Sequence, residues 1–242
     1  MPRAPRWNTA PPRCTCSPGA TSIAATPITR ARGFPGAYDN YHQLPDADRW
    51  QLALRFARAG STPTTDAIER VMKFANFSLH LAAPWASATE RDGMVEASVN
   101  GTLHRVDFVI AGTGYSGHLA SRPELRDVAD QILLWRDRYT PPADATDDRL
   151  ACHPCLGAGH ELLPKTHDAT PLLRDVHVQN PAGFVSFGLP LGDVPSMKRD
   201  IPVIVGRISA DLFRADLDIL RRRMTADVPP DFADTLYRSA VA

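Results

Sequence analysis

The chain has 242 residues, enough for one large domain or two small ones. Lys and Arg total 27 and Asp and Glu total 27, so the net charge is zero and general nucleic-acid binding is disfavoured. A 43% hydrophobic fraction against 22% charged excludes wholesale disorder, no apolar run reaches the ~18 residues of a membrane span, and four cysteines do not make a disulfide scaffold.

The start, Met1–Arg13, has no apolar core behind its arginines and does not read as a signal peptide, so a cytoplasmic setting is expected. Residues 1–36 are Pro-, Ala-, Thr- and Arg-rich without a period, and read as a disordered or out-of-frame segment. In a shifted frame with GC-rich codons, residues 1 to about 22 would spell a helix, a glycine turn, an apolar strand and an Arg pair. Asp46–Ala59 reads as a helix with Trp50, Leu54 and Phe56 on its apolar face and Asp46 or Asp48 as its cap. A second helix spans Thr65–Phe74, opened by Thr64, Thr65 or Asp66, and Phe77–Leu81 alternates like a strand.

Glu90–Ala97 and Thr102–Ile110 read as two strands around an Asn100-Gly101 hairpin turn. Val106–Ile110 is expected to be the most buried strand, ending in Ala111-Gly112-Thr113-Gly114-Tyr115. Ser121 is expected to cap a short helix to about Ala129, with Pro123 and Glu124 in its first turn. Ile132–Trp135 reads as a strand, 139–168 as mostly loop, Val176–Val178 as a short strand, and Gly188–Pro195 as a Gly/Pro loop. Ile201–Met224 is the longest helical pattern, with Arg221–Arg223 suited to its carboxyl end.

Gly112 and Gly114 would let backbone approach a planar or phosphorylated ligand at the carboxyl end of a strand. They read as a tight strand exit rather than as the G-x-G-x-x-G dinucleotide fingerprint. Cys152-His153-Pro154-Cys155, with His160 and His167 following, could be ligands for zinc or a redox pair, but the spacing is short for zinc and loop packing is expected instead. The remaining histidines are scattered, and no Ser/His/Asp set or G-x-S-x-G elbow can be assembled, so no catalytic residue is assigned.

Asp107–Tyr115 resembles the D-x-x-x-A-T-G-Y segment of flavin-dependent monooxygenases, the N-hydroxylating and Baeyer–Villiger-like group. Arg136–Pro142, Asn180-Pro181 and Ser186–Pro195 resemble the carboxyl-terminal half of a bacterial NAD(P)/FAD-dependent oxidoreductase of that group, and the likeness runs over about residues 24–242. The resemblance implies an α/β fold, an incomplete, truncated Rossmann-like form of the fold with two dinucleotide-binding domains. Residues 37–115 would be a partial NAD(P)-binding-type domain with a hairpin. Residues 116–242 would be an FAD-side segment ending in a long helix and a tail.

It also implies FAD and NADP(H) as cofactors, with Gly112, Thr113, Gly114 and Tyr115 near them and Gly192-Asp193 in a loop over the flavin. With both glycine fingerprints read as missing, the chain is expected to be inactive alone, or to work beside a separately encoded amino-terminal half. The alternative is a non-enzymatic interaction or ligand-binding protein derived from that fold. Uncovered apolar faces would favour a homo-oligomer or aggregation. No nucleic acid, membrane or metal is expected.

Overall fold

Pro45 is extended, with ψ 149°, and turns the chain into helix α2, Asp46–Ala59. The computed structural model describes residues 13–15, 21–112, 114, 119, 122–188, 191–192, 194–233 and 235–241. Within them β1 is Arg13–Thr15 and α1 is Pro35–Asn40. The expected cap on α2 is corrected. Pro45 holds the cap position without a side-chain acceptor, and Asp46 and Asp48 sit in the first turn, where they offset the helix dipole. Asp46 also pairs with Arg49 and with Arg138 Nε at 2.8 Å. Helix α3, Thr65–Met72, is capped by Thr64, whose hydroxyl accepts from the Ala67 N–H at 3.2 Å.

Strand β2, Ser78–His80, pairs in parallel with β1. Strands β3 (Trp85–Arg91), β4 (Met94–Val99) and β5 (Thr102–Val106) form an antiparallel sheet in that order. Asn100-Gly101 makes the expected hairpin turn, both residues at positive φ. Glu90–Ala97 is not one strand. Asp92 (φ 54°) and Gly93 (φ 74°) form a second turn of the same kind, an Asp-Gly signal lying inside the expected strand.

That turn also overturns the expected buried strand over Val106–Ile110. Strand β4 begins at Met94, and Val95 already faces Val106, so only Met94 is left opposite Asp107 and β4 offers residues 108–110 nothing to pair with. β5 ends at Val106, and Phe108 and Ile110 are 88% and 96% exposed.

The expected helix after Ser121 is two 3₁₀ turns, Pro123–Leu125 and Ala129–Gln131. Ser121 itself lies outside the described residues, and Arg122 holds the cap position of the first turn. The expected strand Ile132–Trp135 is reduced to single bridges, Ile132 with Pro164 and Leu134 with Pro154. Prolines have no N–H to extend a ladder, so each pairing stops after one rung. Trp135–Arg138 turns into the short helix α4, and α5 follows at Asp148–Ala151. Val176–Val178 is likewise held by the single bridge Glu161–His177.

Helix α6, Phe184–Phe187, leads to α7, Val194–Ala215, and α8, Leu217–Met224. The long helix therefore starts before Ile201, carries Pro202 inside it, and breaks at Asp216. Helix α9 is Thr235–Arg238. No helix among the described residues is long and apolar enough to cross a membrane.

Two apolar clusters lie side by side. One joins Trp50, Ala53 and Leu54 of α2 to Trp135, Ala145, Leu150, Cys155 and Val185. The other gathers Ile132, Leu134, Leu156, Leu162, Leu173, Val178, Phe187 and Leu191. Arg32, within the stretch set apart by composition, lies over the Phe56 and Phe184 rings and donates to the Gly188 carbonyl. By contrast, Val205, Leu212, Phe213 and Ile219 of α7 and α8 are exposed.

Candidate functional site

Three regions carry the residues singled out by sequence. In the first, Gly112 is exposed, and a Cβ on it or on Gly114 would meet nothing within 4 Å. Gly114 has φ +82°, which glycine adopts freely. Thr113 and Tyr115 lie outside the described residues.

The reading of this stretch needs correcting. Gly112, Gly114 and Gly117 stand at G-x-G-x-x-G spacing, so the chain does contain the spacing read as missing. The surroundings that make it a diphosphate cradle are a strand before it and a helix N-terminus after it. Residues 107–112 are not strand, and no α-helix begins among the described residues until Trp135. Thr113 and residues 115–118, which would complete such a cradle, lie outside the described residues.

The second region is the loop into α7. Gly192 has φ +81°, and a Cβ there would lie 2.6 Å from the Gln179 carbonyl oxygen and 3.1 Å from Asn180 Cα. Its N–H donates to Ser196 Oγ at 3.1 Å. Here glycine is required by backbone sign and by close approach together. Asp193 lies outside the described residues.

The third region is Cys152-His153-Pro154-Cys155. Its members point into different environments. Cys155 is buried in the cluster of Trp50 and Trp135, and His153 Nδ1 bonds the Ala182 carbonyl at 2.8 Å. His160 stacks on Phe187 with ring centroids 4.1 Å apart, while His167 is exposed. Among the described residues no group of three or more His, Cys, Asp or Glu is placed to hold a metal.

Burial pushes the Cys155 thiol up to about 12, despite Arg138 and Arg49 favouring its thiolate. A thiol held protonated is a poor nucleophile. Iodoacetamide should therefore label Cys155 only on unfolding, followed by mass spectrometry of the peptide. Rapid native labelling at Cys155 would contradict this burial.

Sequence reasoning missed a cleft of about 180 Å³ built from four distant segments. Tyr38, Asp39 and His42 line one wall, Ala158, His160 and Phe187 another, and Arg199, Asp200 and Val203 of α7 the third. The turn beneath it is held by Glu161. Its carboxylate accepts from the Gly159 N–H at 2.8 Å and faces Arg207 of α7 at 3.5 Å. His177 Nδ1 bonds the Gly159 carbonyl at 2.7 Å from the other side. The local signal was Gly157-Ala158-Gly159, but nothing in sequence joins it to Asp200.

Burial is the main reason that the imidazoles of His42, His153 and His160 titrate below their ordinary value. As pH falls through the ordinary value of ~6.5, the unfolded chain takes up protons that the folded chain refuses. Stability is therefore full above that pH and falls below it. The urea midpoint should be lower at pH 5.5 than at pH 7.5, and an unchanged midpoint would contradict the neutral, buried state of these rings.

No protein-family model matches the chain. It is 32% identical over 181 residues to the FAD-dependent urate hydroxylase of Xanthomonas campestris pv. campestris, covering 75% of this chain and 38% of that protein. The chain is a homologue of an FAD-dependent hydroxylase. It thus spans well under half the length of the curated relative it matches. Among solved structures, the reduced form of ornithine hydroxylase from Pseudomonas aeruginosa superposes with a TM-score of 0.53 at 17% identity, over 82% of this chain and 46% of that one. The homologue and this partial superposition bear out the resemblance to flavin monooxygenases and the α/β fold expected from it.

Proposed function

We propose that this chain is the flavin-side carboxyl part of an FAD-dependent, NAD(P)H-using monooxygenase and that it is catalytically silent by itself. The 181-residue match to the urate hydroxylase carries the reading. In that family setting FAD would supply the oxygen chemistry and the protein its binding and shielding. Gly112, Thr113, Gly114 and Tyr115 would lie near the cofactors, and Gly192-Asp193 would belong to the loop over the flavin. They would do so only beside a second body that provides a strand for residues 107–110 and a helix N-terminus for the diphosphate.

Two features support a second body. Phe108, Val109 and Ile110 form a strand-like apolar run without a partner strand among the described residues. Helices α7 and α8 leave Val205, Leu212, Phe213 and Ile219 uncovered. The occupant proposed is a separately encoded amino-terminal, dinucleotide-binding half.

Co-expression tests this. The chain should purify colourless alone, and should co-purify with the amino-terminal part of the Xanthomonas relative as a complex showing flavin absorbance and NADPH oxidation. Failure to form any complex, with the chain monomeric and soluble alone, would favour a free-standing ligand-binding protein instead.

A further inference from the structure

The cleft between α1, the 157–161 turn and α7 holds two buried acceptors that the fold leaves unused. Asp200 is 1% exposed, and His160 is 3% exposed. Asp200 Oδ1 is taken by Arg199, whose Nε donates to it at 2.7 Å, but Asp200 Oδ2 has no hydrogen-bond partner among the described residues. His160 Nδ1 has none either. Burial favours the neutral form of the His160 ring, which has one nitrogen without a proton, and Nδ1 is that acceptor when the proton sits on Nε2. Arg199 Nη2 lies 2.6 Å from Asp200 Oδ1 as an ion pair and makes no hydrogen bond to Oδ2. Buried acceptors are normally satisfied, so Oδ2 and Nδ1 in one cleft ask for a donor.

The backbone at His160 points the same way. It holds φ +67°, an uncommon conformation for a residue with a side chain. That conformation sets the ring flat against Phe187 and into the cleft wall. Gly159 precedes it in a turn closed by Glu161.

The occupant's chemistry follows from the lining. Arg199 is already engaged by Asp200 and lies over the Tyr38 ring, 5.1 Å from its centroid. Asp39 adds a second carboxylate, and His42 and His160 both titrate below the ordinary histidine value, so neither supplies a positive charge near neutral pH. The lining is thus net negative and rich in acceptors, which disfavours an anion. Among the described residues no three of Asp39, His42, His160 and Asp200 are grouped to hold a metal, which disfavours one.

We propose that this cleft binds a small organic cation bearing N–H groups, an alkylammonium or guanidinium group, with its hydrogens directed to Asp200 Oδ2 and His160 Nδ1. This does not depend on the chain acting in a flavin reaction. Removing the N–H groups while keeping the charge should be the discriminating change, since hydrogen bonds to a charged partner are the strong ones.

The test is calorimetric titration of the full chain at constant ionic strength and pH 7.5 with methylammonium, methylguanidinium or tetramethylammonium chloride. One of the first two should bind at least about tenfold tighter than tetramethylammonium, which has no N–H to donate. Asp200→Asn should weaken that binding by about tenfold, and His160→Phe should weaken it while keeping the ring stack on Phe187. Circular dichroism checks that both variants fold. Should a variant not fold, the wild-type comparison among the three cations still decides. Equal affinity for all three, no heat beyond that of sodium chloride, or unchanged binding in folded variants would overturn the proposal and leave the cleft to water.

Discussion

Trp135→Ala is expected to remove about 3–5 kcal/mol of stability, a large share of the ~5–15 kcal/mol that a domain typically has. Trp135 is fully buried, and its indole N–H donates to Ser186 Oγ at 3.2 Å. Ser186 Oγ also accepts from the Leu156 N–H at 3.1 Å and donates to the Pro154 carbonyl at 3.3 Å. One side chain thus joins α4, the Pro154–Leu156 segment and α6. The Trp50 ring lies 6.5 Å away, and the Arg49 guanidinium sits 4.8 Å over the Trp135 ring. Removing the indole opens a cavity and deletes one of the three hydrogen bonds at Ser186 Oγ. Trp135→Phe keeps most of the volume and should cost only about 1–3 kcal/mol. Urea unfolding followed by far-ultraviolet circular dichroism measures both. Equal, small losses in the two variants would contradict the junction assigned to Trp135.

Gly188→Ala should be nearly as damaging, for a different reason. Gly188 closes α6 in the left-handed conformation, φ 66° and ψ 7°. A Cβ there would lie 2.2 Å from the Tyr41 ring. That ring cannot simply swing away, because Tyr41 is buried and its hydroxyl donates to the Arg49 carbonyl at 2.8 Å. The backbone sign carries about 1–2 kcal/mol and the overpacking about 1–3 kcal/mol more. Gly101→Ala separates the two. Its φ is +76° and its surroundings are open, so only the backbone part applies. A Gly188→Ala loss no larger than that of Gly101→Ala would show that Tyr41 does not confine the site.

What the sequence could convey was local. The α2 pattern, the Thr64 cap and the Asn100-Gly101 turn depend on neighbours within a few residues, and the structure has all three. The misread strands depend on partners far away. Val106–Ile110 has a good strand composition, but its pairing ends because Asp92-Gly93 turns β4 away from it. Ile132–Trp135 meets Pro154 and Pro164, whose missing N–H groups appear only once register is known. The glycine spacing at 112–117 failed in the opposite sense: the letters are present, and the strand and helix that would make them a phosphate site are not among the described residues around them. The cleft at His160 and Asp200 was invisible because residues 39, 160 and 200 share no periodicity.

The most direct measurement is an equilibrium titration of the purified chain with FAD, followed by flavin fluorescence and by NADPH oxidation in the same sample. With residues 107–112 outside any strand among the described residues, and a second body proposed to complete the cofactor site, no saturable flavin binding and no NADPH consumption are predicted for the chain alone. Stoichiometric uptake of FAD with sustained NADPH oxidation by the chain alone would contradict the account.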